Sequence, residues 1–215
     1  MIASCWLSLA IAISGCSAID QIQYDVEHTA ITLGPHDLED GGIGFLTPAA
    51  ATGREADKQA LAMSFAKALQ AMRPEIRVVP LPSILSAVNA ADLDQEYKLM
   101  YRDYLETGIL EGSILCRIGE VGGVRYVAQL SLASFVQKSS GRFSFLGLHV
   151  LDTEQANMRM FIQIWDIENA AVAWEGGAEL NYAYETGAEM PVTFSDVTRL
   201  AAERLFARLP GADRK

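Results

Sequence analysis

Catalytic signatures are what this 215-residue sequence most plainly lacks. It has no G-x-S-x-G elbow, no Walker loop, no H-E-x-x-H, no C-x-x-C and no G-x-G-x-x-G, so the commonest hydrolase, nucleotide, zinc, redox and dinucleotide sites have no footing here. Histidine is scarce: His28, His36 and His149 are scattered along the chain. They make a poor basis for a Ser-His-Asp triad, although one imidazole is enough for acid–base work. Positive charge is also short, with 17 Lys and Arg against 27 Asp and Glu for a net charge of −10. Nucleic acid as a partner needs clustered cations, and pairs such as Lys138 with Arg142 stand alone. Beyond the amino terminus no run approaches the ~20 apolar residues of a spanning helix. No motif calls for a cofactor. A composition of 50% hydrophobic and 20% charged residues is ordinary for a globular protein, and the length fits one domain better than two.

Location is written more clearly than activity. Residues 9–16 form an apolar run that closes on small residues and a cysteine, which meets the need of a secretory signal for an apolar core and a cleavable small-residue site. Ile13-Ser14-Gly15-Cys16 resembles the lipobox of bacterial lipoproteins. The resemblance implies cleavage before Cys16, acylation of its thiol, and a mature chain that begins there. The positive charge that usually opens a signal is absent from residues 1–5. By the same resemblance Ser17, standing where Asp would retain a lipoprotein in the inner membrane, favours the periplasmic face of the outer membrane. Two or more acyl chains give stable anchoring, at about 0.8 kcal/mol per buried methylene, and so hold an acidic body that anionic headgroups would repel. With Cys5 leaving in the signal and Cys16 acylated, Cys116 is the remaining thiol and no disulfide framework forms within one chain. Its apolar helical setting, residues 114–118, reads as an inert packed thiol.

Residues 16–42 read as the acylated cysteine and a flexible tether, rich in Asp, Glu, Gln and His. His36, Asp37, Glu39 and Asp40 offer metal-ligand chemistry, but one imidazole among carboxylates on a solvated segment reads as linker. The globular domain is expected over 43–210, with a short tail over 211–215. It opens with a buried strand at 43–48, a helix begun by a Thr52/Glu55 capping box and stopped at Pro74, and a strand at 76–79 lying beside the first. Three helices follow, at 82–90, 94–107 and 109–121. Tyr97, Tyr101 and Tyr104 share a face of the second, a stripe that reads as core. The second half turns to β periodicity: strands at 126–136, 143–151 and 157–166 with a turn over 138–142, then 172–184 with a bulge at Gly176-Gly177. Thr193 or Ser195 caps a last helix that ends at Pro210-Gly211. His149 reads as half-buried and hydrogen-bonded. The fold class is α/β (α+β), a single domain with a mixed, mostly antiparallel sheet flanked by helices.

The hairpin over 162–176, a strand, Asp166, a short turn and then V-x-W-E-G, resembles that of small envelope lipoproteins related to the curli-secretion lipoprotein, the lipoprotein activators of penicillin-binding proteins and the TolB amino-terminal domain. The whole of 43–210 is similar to uncharacterised proteobacterial lipoproteins. The resemblance implies a sheet with helices on its faces, action by binding other proteins, and no catalytic residue to carry over. The expected partners are therefore the membrane, through Cys16, and envelope proteins. Trp165 and Trp174 are expected to face each other across the hairpin as packing residues, or, if exposed, to form a partner surface. The alternative is a periplasmic hydrolase or small-ligand binder with a carboxylate site, since carboxylates are plentiful.

Overall fold

Two very long strands, β5 (Tyr126–Phe145) and β6 (Leu148–Asp166), form the spine of the molecule and are joined antiparallel along nearly their whole length. This computed structural model describes residues 21–51, 54–145, 148–186 and 193–212. Cys5, Cys16, Ser17, Thr52 and the end of the tail lie outside them. β7 (Ala171–Thr186) pairs antiparallel with β6, and β1 (Gln21–Ala30) pairs antiparallel with β7. On the other side of β5 three short strands run parallel to their neighbours: β2 (Ile43–Phe45) beside β5 and β4 (Val78–Val79), and β3 (Ala49–Ala50) against β5. The result is one mixed, mostly antiparallel sheet of seven strands, ordered β1-β7-β6-β5-β2-β4 with β3 beside β5. The expected class is therefore the observed one.

Alternation decides which helices cover which face, because successive strand residues point to opposite sides. Tyr126, Ala128 and Leu130 of β5, Met158, Met160 and Ile162 of β6 and Trp174 and Leu180 of β7 share one face. It is covered by α2 (Glu55–Met72) through Leu61, Phe65 and Leu69, and by α6 (Phe194–Phe206) through Val197, Ala201 and Leu205. On the opposite face Val127, Trp165 and Ile167 pack under α3 (Leu81–Ala90), α4 (Asp94–Thr107) and α5 (Gly112–Gly122). Those three helices cover only one end of their face. The remainder, toward β7 and β1, carries the polar residues described below.

Local signals set most helix ends. Thr193 accepts from the Asp196 amide while Asp196 accepts from the Thr193 amide, so Thr193 is the cap of α6. Gly108 ends α4 in the left-handed conformation at φ 73°, which glycine adopts without a Cβ clash. α2 starts after Arg54, which gives no side-chain cap; Thr52, the expected one, lies outside the described residues.

Three expectations need correction. The segment read as a flexible tether is ordered from Gln21: β1 adds to the sheet, α1 (Asp37–Gly41) follows, and Leu33 and Leu38 are buried in the main core. Residues 138–142 are not a turn; both strands continue through them, with register shifts at Leu132/Ser134 and Gly141/Phe143 that absorb the twist of so long a pair. Gly176 and Gly177 form no bulge either, and the irregularity of this hairpin lies at Ile164/Trp165.

Candidate interaction face

Cross-strand register writes the uncovered face as rows. Thr29, Glu175, Gln163 and Gln129 lie side by side across β1, β7, β6 and β5. The next row is Glu27, Gly177, Phe161 and Ser131, and the next Asp25, Glu179, Arg159 and Ser134. Gly177 leaves a dip in the middle, where an added Cβ would lie 3.1 Å from Phe161 Cε1. The ring of Phe161 leans over this glycine, 41% exposed, with the Arg159 guanidinium 5.6 Å from its centroid.

Around the dip lies a cleft of about 380 Å³ whose walls include Glu27, Glu175, Gln129, Gln163, Phe161 and Tyr104. Gln129 is almost fully buried; its Nε2 donates to the Thr47 and Leu130 carbonyls, at 3.0 and 3.1 Å, while its Oε1 has no partner among the described residues. Ser131 and Thr29 bring hydroxyls, yet neither is hydrogen-bonded to Glu27 or Glu175, so no activated nucleophile is assembled among the described residues. Such a site can bind through carboxylates, amides and a ring face. Asp25, Glu27, Glu175 and Glu179 carry no ion pair among the described residues.

Beyond this face β1 is the last strand of the sheet. Along it every side chain from Ile22 to Ala30 is exposed except the half-buried Val26. Ile22 is 38% and Tyr24 46% exposed, and the Arg204 guanidinium stacks 4.2 Å from the Tyr24 ring centroid.

Residues singled out in the sequence do not converge here. Trp165 pairs with Val172 and Trp174 with Ile164, and the two indoles point to opposite faces of the sheet, 6% and 0% exposed. They neither face each other nor offer a partner surface. The tyrosine stripe divides: Tyr97 is buried and its hydroxyl donates to Thr47 Oγ1 and accepts from the Thr47 amide, both at 2.9 Å, and Tyr101 donates to the Pro48 carbonyl at 2.9 Å. Tyr104 is half-buried on the cleft wall, where burial raises its phenol above the usual value. The acidic group on α1 is dispersed into separate bonds: Asp37 accepts from the Gly34 amide at 2.7 Å, His36 meets Glu39 at 3.0 Å, and Glu39 pairs with the buried Arg73 at 2.9 Å. Cys116 is half-buried rather than packed, 3.6 Å from Glu120, and burial together with that carboxylate pushes its thiol up, away from reactivity. His149 lies in β6 opposite Ser144, and its side chain is outside the described residues. The rows on the open face were missed; the sequence signals only their β1 member, through the alternation of Ile22, Tyr24 and Val26 with polar residues.

No family model matches the chain, and no curated protein matches it. Among solved structures it is similar to the PelC dodecamer from Paraburkholderia phytofirmans, at 12% identity and a TM-score of 0.47 over 87% of this chain and 98% of that one. It is also similar to the lipoprotein GNA1162 from Neisseria meningitidis, at 11% identity and a TM-score of 0.40 over 78% of this chain and 96% of that one.

Proposed function

We propose that the chain is an envelope lipoprotein, anchored through acylated Cys16 at the periplasmic face of the outer membrane, that works by binding other proteins and performs no catalysis. The observation that carries this reading is β1: a ten-residue edge strand, exposed from Ile22 to Ala30 except at Val26, beside a sheet face with four carboxylates that make no ion pair among the described residues. Exposed edges are recognition sites by default, since their outward amides and carbonyls seek partners. The lipobox-like run 13–16, the overall acidity and the resemblance of the 162–176 hairpin to adaptor lipoproteins support the same reading. Two measurements test it. Metabolic acyl labelling with fractionation should place label on the wild type in the outer membrane and none on Cys16→Ala. Photocrosslinkers along β1 and on the outer side of α4 should capture a defined envelope protein in cells. Label on Cys16→Ala, or a cytosolic wild type, overturns the anchor; no reproducible capture from any position overturns the binding role.

One observation favours a second reading, a small-ligand binder: the cleft with Gln129 Oε1, which has no partner among the described residues. Native mass spectrometry of purified protein separates the two, because a ligand binder retains or takes up a small polar molecule that Gln129→Leu loses.

A further inference from the structure

We infer that the open edge of β1 accepts an extended segment of a partner protein whose residues alternate apolar and basic, adding an eighth strand to the sheet. The inference deepens the binding role proposed above and rests on it. Among the described residues β1 has a strand on one side only, and in an antiparallel pair alternate residues direct both amide and carbonyl away from the neighbour. Natural edges are usually blunted by proline, charged side chains and lysine above all, a bulge or shortness. β1 has neither Pro nor Lys, pairs with β7 without a register shift, and runs ten residues where about five or six are typical. The charges it carries, Asp25 and Glu27, guard this hydrogen-bonding template against acidic strands and leave it open to basic ones.

Side chains beside that edge specify the occupant. On the side of α6 the strand shows Ile22 and Tyr24, both more than a third exposed, and then Val26. On the opposite side it shows Asp25 and Glu27, with Glu175 and Glu179 one strand further in and Arg159 as the neighbouring cation. An added strand must place its own residues in alternation over these two sides. Apolar residues would cover Ile22 and Tyr24, and Lys or Arg at the intervening positions would meet Asp25 and Glu27 directly across the ladder, where opposite charges stabilise and like charges destabilise. The same rule argues against a second copy of this chain: two β1 edges pairing about their middle set Asp25 against Glu27 of the other copy.

The test uses the full protein in detergent micelles and three synthetic decapeptides: alternating Val and Lys, the same composition with the lysines grouped, and alternating Val and Glu. Calorimetric titration should show the alternating Val-Lys peptide binding at least about tenfold more tightly than the other two. Methylating the amides on one edge of that peptide should abolish binding, and Asp25→Lys/Glu27→Lys should transfer preference to the Val-Glu peptide; both carboxylates are exposed, so the fold is retained. Equal binding of the grouped isomer, insensitivity to N-methylation, an unchanged preference in the double variant, or self-association through β1 would each overturn the inference. If the peptide fails while crosslinkers on α4 still capture one envelope protein, the binding role stands and the edge assignment alone is wrong.

Discussion

Trp174 gives the sharpest test of the packing logic, because its benefit and its penalty are separable. The indole is fully buried between β7 and α6, yet its Nε1 finds no acceptor among the described residues. Truncating a buried Trp to Ala costs roughly 3–5 kcal/mol in lost transfer energy and cavity. Removing an unsatisfied buried donor returns about 1–3 kcal/mol. Trp174→Ala is therefore expected to lose a net of about 2 kcal/mol from the central values, and Trp174→Phe, which sheds the N–H but keeps a ring, about 1 kcal/mol. Gly176 supplies the second arm. A methyl there would lie 2.5 Å from Trp174 Cη2 and 2.9 Å from Leu205 Cδ2, so Gly176→Ala overpacks the site and costs roughly 1–3 kcal/mol. In the Trp174→Phe background the clashing ring edge is gone, and the same methyl should cost at least about 1 kcal/mol less. Urea and thermal unfolding followed by far-UV circular dichroism measure all four corners of this cycle, with about 2–4 °C per kcal/mol for a chain of this size. Strict additivity, or a Trp174→Ala variant as stable as the wild type, would refute the packing described here.

Asp166 is almost fully buried; burial raises its pKa, but hydrogen bonds from Arg125, Asn169 and the Glu168 amide outweigh that and hold the carboxyl below its usual value. A depressed folded pKa stabilises above the unfolded value near 3.9 and loses the effect as pH falls through the folded one. Asp166→Asn should thus be less stable by roughly 1–3 kcal/mol at pH 7, with the gap closing below about pH 4 in a series of melting curves. Arg73, buried between Glu39, Glu75 and the Pro210 carbonyl, ties α1 and α2 to the carboxyl-terminal segment. Because both acids remain partly exposed and can rehydrate, Arg73→Met should cost about 1–3 kcal/mol in urea unfolding rather than the 3–5 kcal/mol of a fully buried pair. Thr193→Ala should cost about 1 kcal/mol by removing the α6 cap, a fall of about 2–4 °C in Tm.

Where one short-range signal decides a feature, the sequence discloses it. Pro74 after the Leu61, Phe65, Leu69 spacing marks the end of α2, Gly108 marks the end of α4, and Thr193 with Asp196 marks the start of α6. Features that depend on partners distant in the chain stay hidden. β1 has the two-residue alternation of a strand, but its charged half looks like tether until β7, some 150 residues on, is seen to supply its ladder. The tryptophans of the hairpin appear paired on the page because both follow apolar residues near one turn; strand alternation and the irregularity at Ile164/Trp165 send them to different layers. The candidate site is the least legible of all. Its rows combine four strands, and Glu27, Glu175, Phe161 and Gln129 share no motif in the linear order.

With Cys16 as the proposed anchor, the early start of β1 would also set a leash. As an unstructured tether, residues 16–42 would let the domain range up to roughly 90 Å from its lipid, at about 3.5 Å per residue. With β1 starting at Gln21, four residues separate that strand from Cys16, and the span shrinks to at most about 17 Å. A domain held so short by the anchor proposed above would not patrol the periplasm. On the proposed anchor it would ride at headgroup height with the Gln21 end of the sheet, where β1 lies level with Ala183, Gln155 and Lys138, turned toward the bilayer. Any protein that reached it would then do so within a thin shell above the lipid, at a local concentration set by that shell and not by the volume of the compartment.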